Sequence, residues 1–204
     1  EVINHYQFTG ELLSQEPYGS GHINDTFLLV YDIERMGRMK VILQRMNKDI
    51  FTKPEELMEN VVGVTSYLRE RIIENGGDPE RETLNVIPTP DGAMFYKDSK
   101  GDYWRAYKFI TDALGYDKVE NPDDFYQSAV SFGNFQRLLA DYPAETLHET
   151  IKGFHDTKAR FQVFKEVVAA DVMGRAKDVE KEIQFVLDRE EIADYFCDLL
   201  AKGE

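Results

Sequence analysis

Three observations predict an α+β fold. Strand-like runs crowd the first 110 residues, one amphipathic helix interrupts them, and only helical periodicity follows residue 111. With 204 residues, 42% hydrophobic and 12% aromatic, the chain can bury one sizeable core or two small ones. It carries 24 Lys and Arg against 38 Asp and Glu, giving a net charge of −14 and a pI of about 4.7. The basic residues are scattered, which argues against nucleic acid or an anionic membrane as main partner, because phosphate arrays are bound by clustered cations. No run approaches the ~18 consecutive apolar residues of a membrane span, and no signal-peptide pattern opens the sequence, so a soluble chain is expected. The single cysteine, Cys197, forms no internal disulfide and no cysteine-rich metal site, and fits the reducing cytoplasm.

The elements follow in order. Residues 11–18, 26–33 and 39–47 are strand-like, and Glu34-Arg35-Met36-Gly37 joins the second and third as a tight antiparallel hairpin. A helix then starts at Thr52-Lys53-Pro54-Glu55, a capping-box pattern with an early proline. Leu57, Val61, Val64, Leu68 and Ile72 give it one apolar face, and Asn75-Gly76-Gly77 stops it. Strands resume at 84–87, 93–97 and 103–110, with Asp98-Ser99-Lys100-Gly101 turning the last pair. Beyond a joint at 111–122, Phe125, Ala129, Phe132, Phe135 and Leu139 mark a helix after Asn121-Pro122. Residues 163–176 and 178–200 mark two more.

The richest stretch is Tyr18-Gly19-Ser20-Gly21-His22-Ile23-Asn24-Asp25-Thr26. Walker-type and dinucleotide-binding loops open a helix, whereas here a strand follows. Strand, Gly-x-Gly turn, strand is the arrangement of a kinase-type flap, in which glycines let backbone N–H groups approach phosphates. On the third strand, kinase-like lobes carry a phosphate-binding cation held by a helix glutamate. Gln44 and Arg45 occupy that place, and strand alternation lets only one face the nucleotide; the sequence leaves open which. Glu59 is the first choice for the helix glutamate, with Glu55 and Glu56 as competitors and a solvated helix face as the plain alternative for each. Lys108, Phe109 and Ile110, where the last strand meets the joint, suit the adenine edge, while Trp104 suits the core. His148 and His155 lack zinc-ligand spacing, and Asp156 or Thr157 reads as the cap of the helix carrying Arg160. No Gly-x-Ser-x-Gly elbow, reactive-cysteine setting or Cys-x-Pro-x-Arg sulfatase segment is present.

Residues 18–24, Ile42-Leu43-Gln44-Arg45-Met46-Asn47, Trp104-Arg105-Ala106-Tyr107-Lys108-Phe109-Ile110, Phe132-Gly133-Asn134-Phe135-Gln136 and Phe154-His155-Asp156-Thr157 together resemble the aminoglycoside phosphotransferase and choline kinase-like family. The resemblance runs over nearly the whole chain and is strongest to the members that phosphorylate N-acetylhexosamines. It implies a protein-kinase-like fold, with an antiparallel-sheet nucleotide-binding lobe at 1–110 and the joint and first helices of an incomplete helical lobe at 111–204. It further implies ATP- and Mg²⁺-dependent phosphorylation of the anomeric hydroxyl of N-acetylglucosamine or N-acetylgalactosamine. Gly19, Ser20, Gly21 and Asn24 would then lie over the phosphates, His22 against the sugar, and Lys108 to Ile110 along the adenine. Relatives acting on homoserine or choline, and a nucleotide-binding module without catalysis, are the alternatives. Many relatives have lysine on the third strand where this chain has Gln44-Arg45. The family's His-Asn-Asp catalytic loop is absent, the one Asn-Asp pair being Asn24-Asp25 in the flap. Catalytic residues and Mg²⁺ ligands are therefore expected beyond residue 204, with residues 1–204 alone inactive and self-association expected through uncovered helix faces.

Overall fold

The computed structural model describes residues 1–203, which divide into two compact units, residues 1–150 and the segment from Ile151 onward. The first unit runs α1 (Val2–Tyr6), β1 (Glu11–Pro17), β2 (Asp25–Ile33), β3 (Gly37–Met46), α2 (Pro54–Glu74), α3 (Pro79–Glu82), β4 (Val86–Ile87), β5 (Tyr96–Lys97), β6 (Tyr103–Lys108) and α4 (Pro122–Leu138). Its strands form one antiparallel sheet in the order β1-β2-β3-β6-β4, with β5 paired to β6. The predicted α+β class, a sheet with one long embedded helix and a helical run after it, is what the chain adopts.

Side-chain alternation gives the sheet two apolar faces. Leu29, Tyr31, Val41, Leu43 and Ala106 point toward α1, where buried Tyr6 donates its hydroxyl to the Trp104 carbonyl at 2.9 Å. Met46 and Tyr103 point the other way and pack with Met58, Leu57, Val61 and Val62 of α2. Facing residues of β2, β3 and β6 share a side, so Thr26, Gln44 and Arg105 lie on the α2 face with Leu28, Ile42 and Tyr107. Both predicted turns form: Met36 N–H donates to Ile33 O at 2.9 Å, and Gly101 N–H to Asp98 O at 3.0 Å.

Several expectations are corrected. The capping box at Thr52 does not form; Lys53 is the residue before the helix, and no side chain caps it. The strands expected at 84–87 and 93–97 shrink to two residues each, because Pro88 and Pro90 cannot donate to a ladder and residues 89–93 close a turn, Thr89 N–H donating to Ala93 O at 2.8 Å. The five residues of α1 and the four of α3 are too few to show a helical period.

The second unit contains α5 (Thr157–Ala170), α6 (Glu180–Leu187) and α7 (Glu190–Lys202). Asp156 caps α5 as expected, accepting from Ala159 N–H at 2.8 Å. The helix ends at Asp171, which adopts a left-handed conformation (φ 34°) and whose carboxylate accepts from the N–H groups of Arg175 and Ala176, so the helix expected at 163–176 lies at 157–170 instead. The single helix expected at 178–200 is broken at Asp188-Arg189 into α6 and α7. Apolar spacing continues across the break and hides it.

No helix among the described residues is long and apolar enough to cross a membrane.

Candidate functional site

The flap candidate is the connection from β1 to β2. Tyr18 N–H donates to Thr26 O at 2.9 Å, closing the base of the loop, and Gly19 takes φ 85°, a left-handed conformation that favours glycine. A Cβ at Gly19 or Gly21 would meet nothing within 4 Å, so no neighbouring side chain or backbone fills the space over either glycine. Ser20 Oγ donates to Asp117 Oδ1 at 2.9 Å, tying the tip to the 111–121 segment. His22 is exposed. Asn24 is turned to a structural task, its Oδ1 accepting from Asn47 N–H at 2.9 Å and fastening the start of β2 to the exit of β3.

The two candidates on β3 point to opposite faces of the sheet. Arg45 points to the α1 face, 5.9 Å from the centre of the Trp104 ring, and pairs on the surface with Asp25 at 2.5 Å and Asp102 at 3.2 Å. Gln44 points to the α2 face, half-buried. Its Nε2 donates to Thr26 Oγ1 at 2.9 Å, and its Oε1 accepts from Arg105 Nε at 2.9 Å and Nη2 at 2.6 Å. The cation beside the β3 glutamine therefore comes from β6, a residue that single-strand reasoning missed. The available signal was a charge set between Tyr103 and Tyr107 in the interior of a strand whose other charge, Lys108, stands at its end.

The helix glutamates do not meet that cation. Glu59 pairs with His148 Nε2 at 2.6 Å. Glu55 Oε1 accepts from the Tyr103 hydroxyl at 2.6 Å, a bond that holds its carboxyl below the usual range, and Glu56 pairs with Lys53. Next to Glu59, Asn60 exchanges two hydrogen bonds with the backbone of His148, at 2.8 and 2.9 Å. Together these fasten the stretch after α4 to α2. A Cβ at Gly63 would lie 2.6 Å from the Tyr142 hydroxyl, so glycine permits the same close approach.

At the end of β6 two of the three candidate N–H groups are already used. Lys108 N–H donates to Asn85 O at 2.9 Å and Phe109 N–H to Lys40 O at 3.2 Å, leaving Ile110 N–H without a partner among the described residues. The Lys108 ammonium pairs with Glu80 of α3 at 2.6 Å. Phe109 meets the Tyr18 ring edge-on at 5.5 Å, joining the flap's base to the end of β6. Clefts of about 300 and 450 Å³ also touch Lys108, but neither contains a flap residue. Among the described residues no group of three or more His, Cys, Asp or Glu side chains gathers as a metal site.

No family model matches the chain. Among solved structures it is similar to spectinomycin phosphotransferase in complex with ADP and spectinomycin, at 13% identity and a TM-score of 0.48, over 89% of this chain and 52% of that one. The chain thus spans about half the length of the structure it matches.

Proposed function

We propose that residues 1–110 are the nucleotide-binding lobe of an ATP-dependent small-molecule kinase, and that residues 111–204 are its joint and the first helices of its second lobe. The observation that carries this reading is the order of parts along one sheet: the Gly19 to Asn24 loop between β1 and β2, Gln44 with Arg105 on the central strands, α2 against the same face, and the free Ile110 N–H where β6 ends. Each part has a chemical task in nucleotide capture. Open glycine backbone presents N–H groups to phosphate oxygens, Tyr18 and Phe109 offer rings beside a base, and one unpaired N–H suits a purine nitrogen.

The acceptor we infer is the anomeric hydroxyl of N-acetylglucosamine or N-acetylgalactosamine, with His22 touching the sugar; its support is the ordered set of sequence motifs. The setting is the cytoplasm. Activation of the hydroxyl and placement of Mg²⁺ are assigned to none of the described residues, so residues 1–204 bind nucleotide without turning it over. Self-association through the uncovered helix faces, read by light scattering, belongs to the same reading.

Two assays test it. Calorimetric titration of this chain with ATP is expected to show saturable binding, and its absence contradicts the nucleotide reading. The longest natural chain containing this sequence is expected to phosphorylate N-acetylhexosamines with ATP and Mg²⁺; transfer to homoserine or choline alone overturns the acceptor, and no transfer to any of these favours a non-catalytic binding module.

A further inference from the structure

Arg105 stands out among the charged groups of the sheet. It lies half-buried in a central strand, between β3 and β4, and none of the ion pairs among the described residues includes it. Its partner is a neutral amide oxygen, Gln44 Oε1, which takes two of the five guanidinium N–H groups. Burial pushes its pKa down, opposed only in lesser part by the Tyr107 phenol. A guanidinium taken from water without a counter-charge is costly, and the cost is offset when an anion arrives.

Gln44 is itself fixed from the other side by Thr26, the first residue past the flap that shares its face. The three side chains form a row across β2, β3 and β6: Thr26 accepts from Gln44, and Gln44 accepts from Arg105. An amide held this way cannot swing aside. It sets the plane of the guanidinium and leaves three N–H groups to donate to an incoming oxyanion. A lysine in place of Gln44 would set two cations side by side on this face. Glutamine is the residue that lets the cation be supplied by the neighbouring strand.

We infer that Arg105 is the phosphate-binding cation of this lobe, positioned by Gln44, and that it takes the di- or triphosphate of a nucleoside. The inference rests on the nucleotide reading above. Arg45, engaged with two aspartates on the opposite face, takes no part.

The test compares ADP with adenosine, in the absence of Mg²⁺, on the unsubstituted chain, Arg105→Gln and Arg105→Lys. Arg105→Gln is expected to weaken ADP binding about ten-fold or more, the worth of a charge-assisted hydrogen-bond pair, while adenosine binding stays the same. Arg105→Lys recovers part of the loss. Equal ADP affinity in Arg105→Gln and the unsubstituted chain overturns the role of Arg105 and leaves the nucleotide reading standing. Failure of the unsubstituted chain to bind either ligand overturns both. Because a substitution in a central strand can unfold the sheet, a measurement on the unsubstituted chain accompanies it: the Arg105 Nε–Hε resonance is expected to shift with ADP and not with adenosine. No shift at saturating ADP overturns the inference.

Discussion

The sheet unit and the helical segment after it bury their apolar residues very differently. Among the described residues, thirteen of the fourteen buried hydrophobic ones lie between Tyr6 and Ala106, and from Ile151 onward there is one, Phe161. Apolar side chains of β2, β3 and β6 have α1 on one side and α2 on the other. Those of α5 and α7 include Val167 at 64% exposure, Phe196 at 69% and Leu200 at 78%. Amphipathic spacing is equally clear in both regions. Periodicity identifies which face of an element is apolar, and says nothing about what covers it.

The sharpest way to break this comparison is a pair of truncations. Leu29→Ala, at a fully buried position, is expected to cost about 2–5 kcal/mol in a denaturant melt, whereas Phe196→Ala is expected to cost under about 0.5 kcal/mol. Equal losses would mean that the helical face is covered after all. Smaller in effect is Asn60→Ala. It removes both hydrogen bonds to His148 and is expected to destabilise the first unit by about 1–2 kcal/mol, with faster amide exchange confined to the stretch after α4. Loss spread evenly over the sheet would deny Asn60 its role as a local fastening.

The smallest effect concerns pH. The hydrogen bond from Tyr103 lowers the Glu55 pKa in the folded chain, so this contact stabilises the fold above the ordinary carboxylate range and is lost as pH falls through the lowered value. Tyr103→Phe is expected to return the Glu55 carboxyl toward its ordinary pKa in an NMR titration and to remove that contribution. An unchanged titration would show that the contact is not held in solution.

Much of the fold was legible in local pattern. Gly37 and Gly101 mark the two hairpins, Asn121 and Asp156 mark helix starts, and the run from Leu57 to Ile72 marks α2. What was not legible depended on partners distant in sequence. The pairing of β3 with β6, about sixty residues apart, turns Arg105 toward Gln44, and no local rule supplies that register. Asn24 and Glu59 sat at the right places in a motif, but their side chains answer to Asn47 and His148. The break at Asp188 was hidden because the apolar period continues through it.

The central claim is that nucleotide binds the sheet between the flap and the end of β6. Hydrogen exchange of the chain with and without ADP tests it most directly. Protection is predicted at residues 18–26, 42–46 and 105–110, with none from Ile151 onward; no protection at saturating ADP, or protection confined to the helical unit, would contradict it.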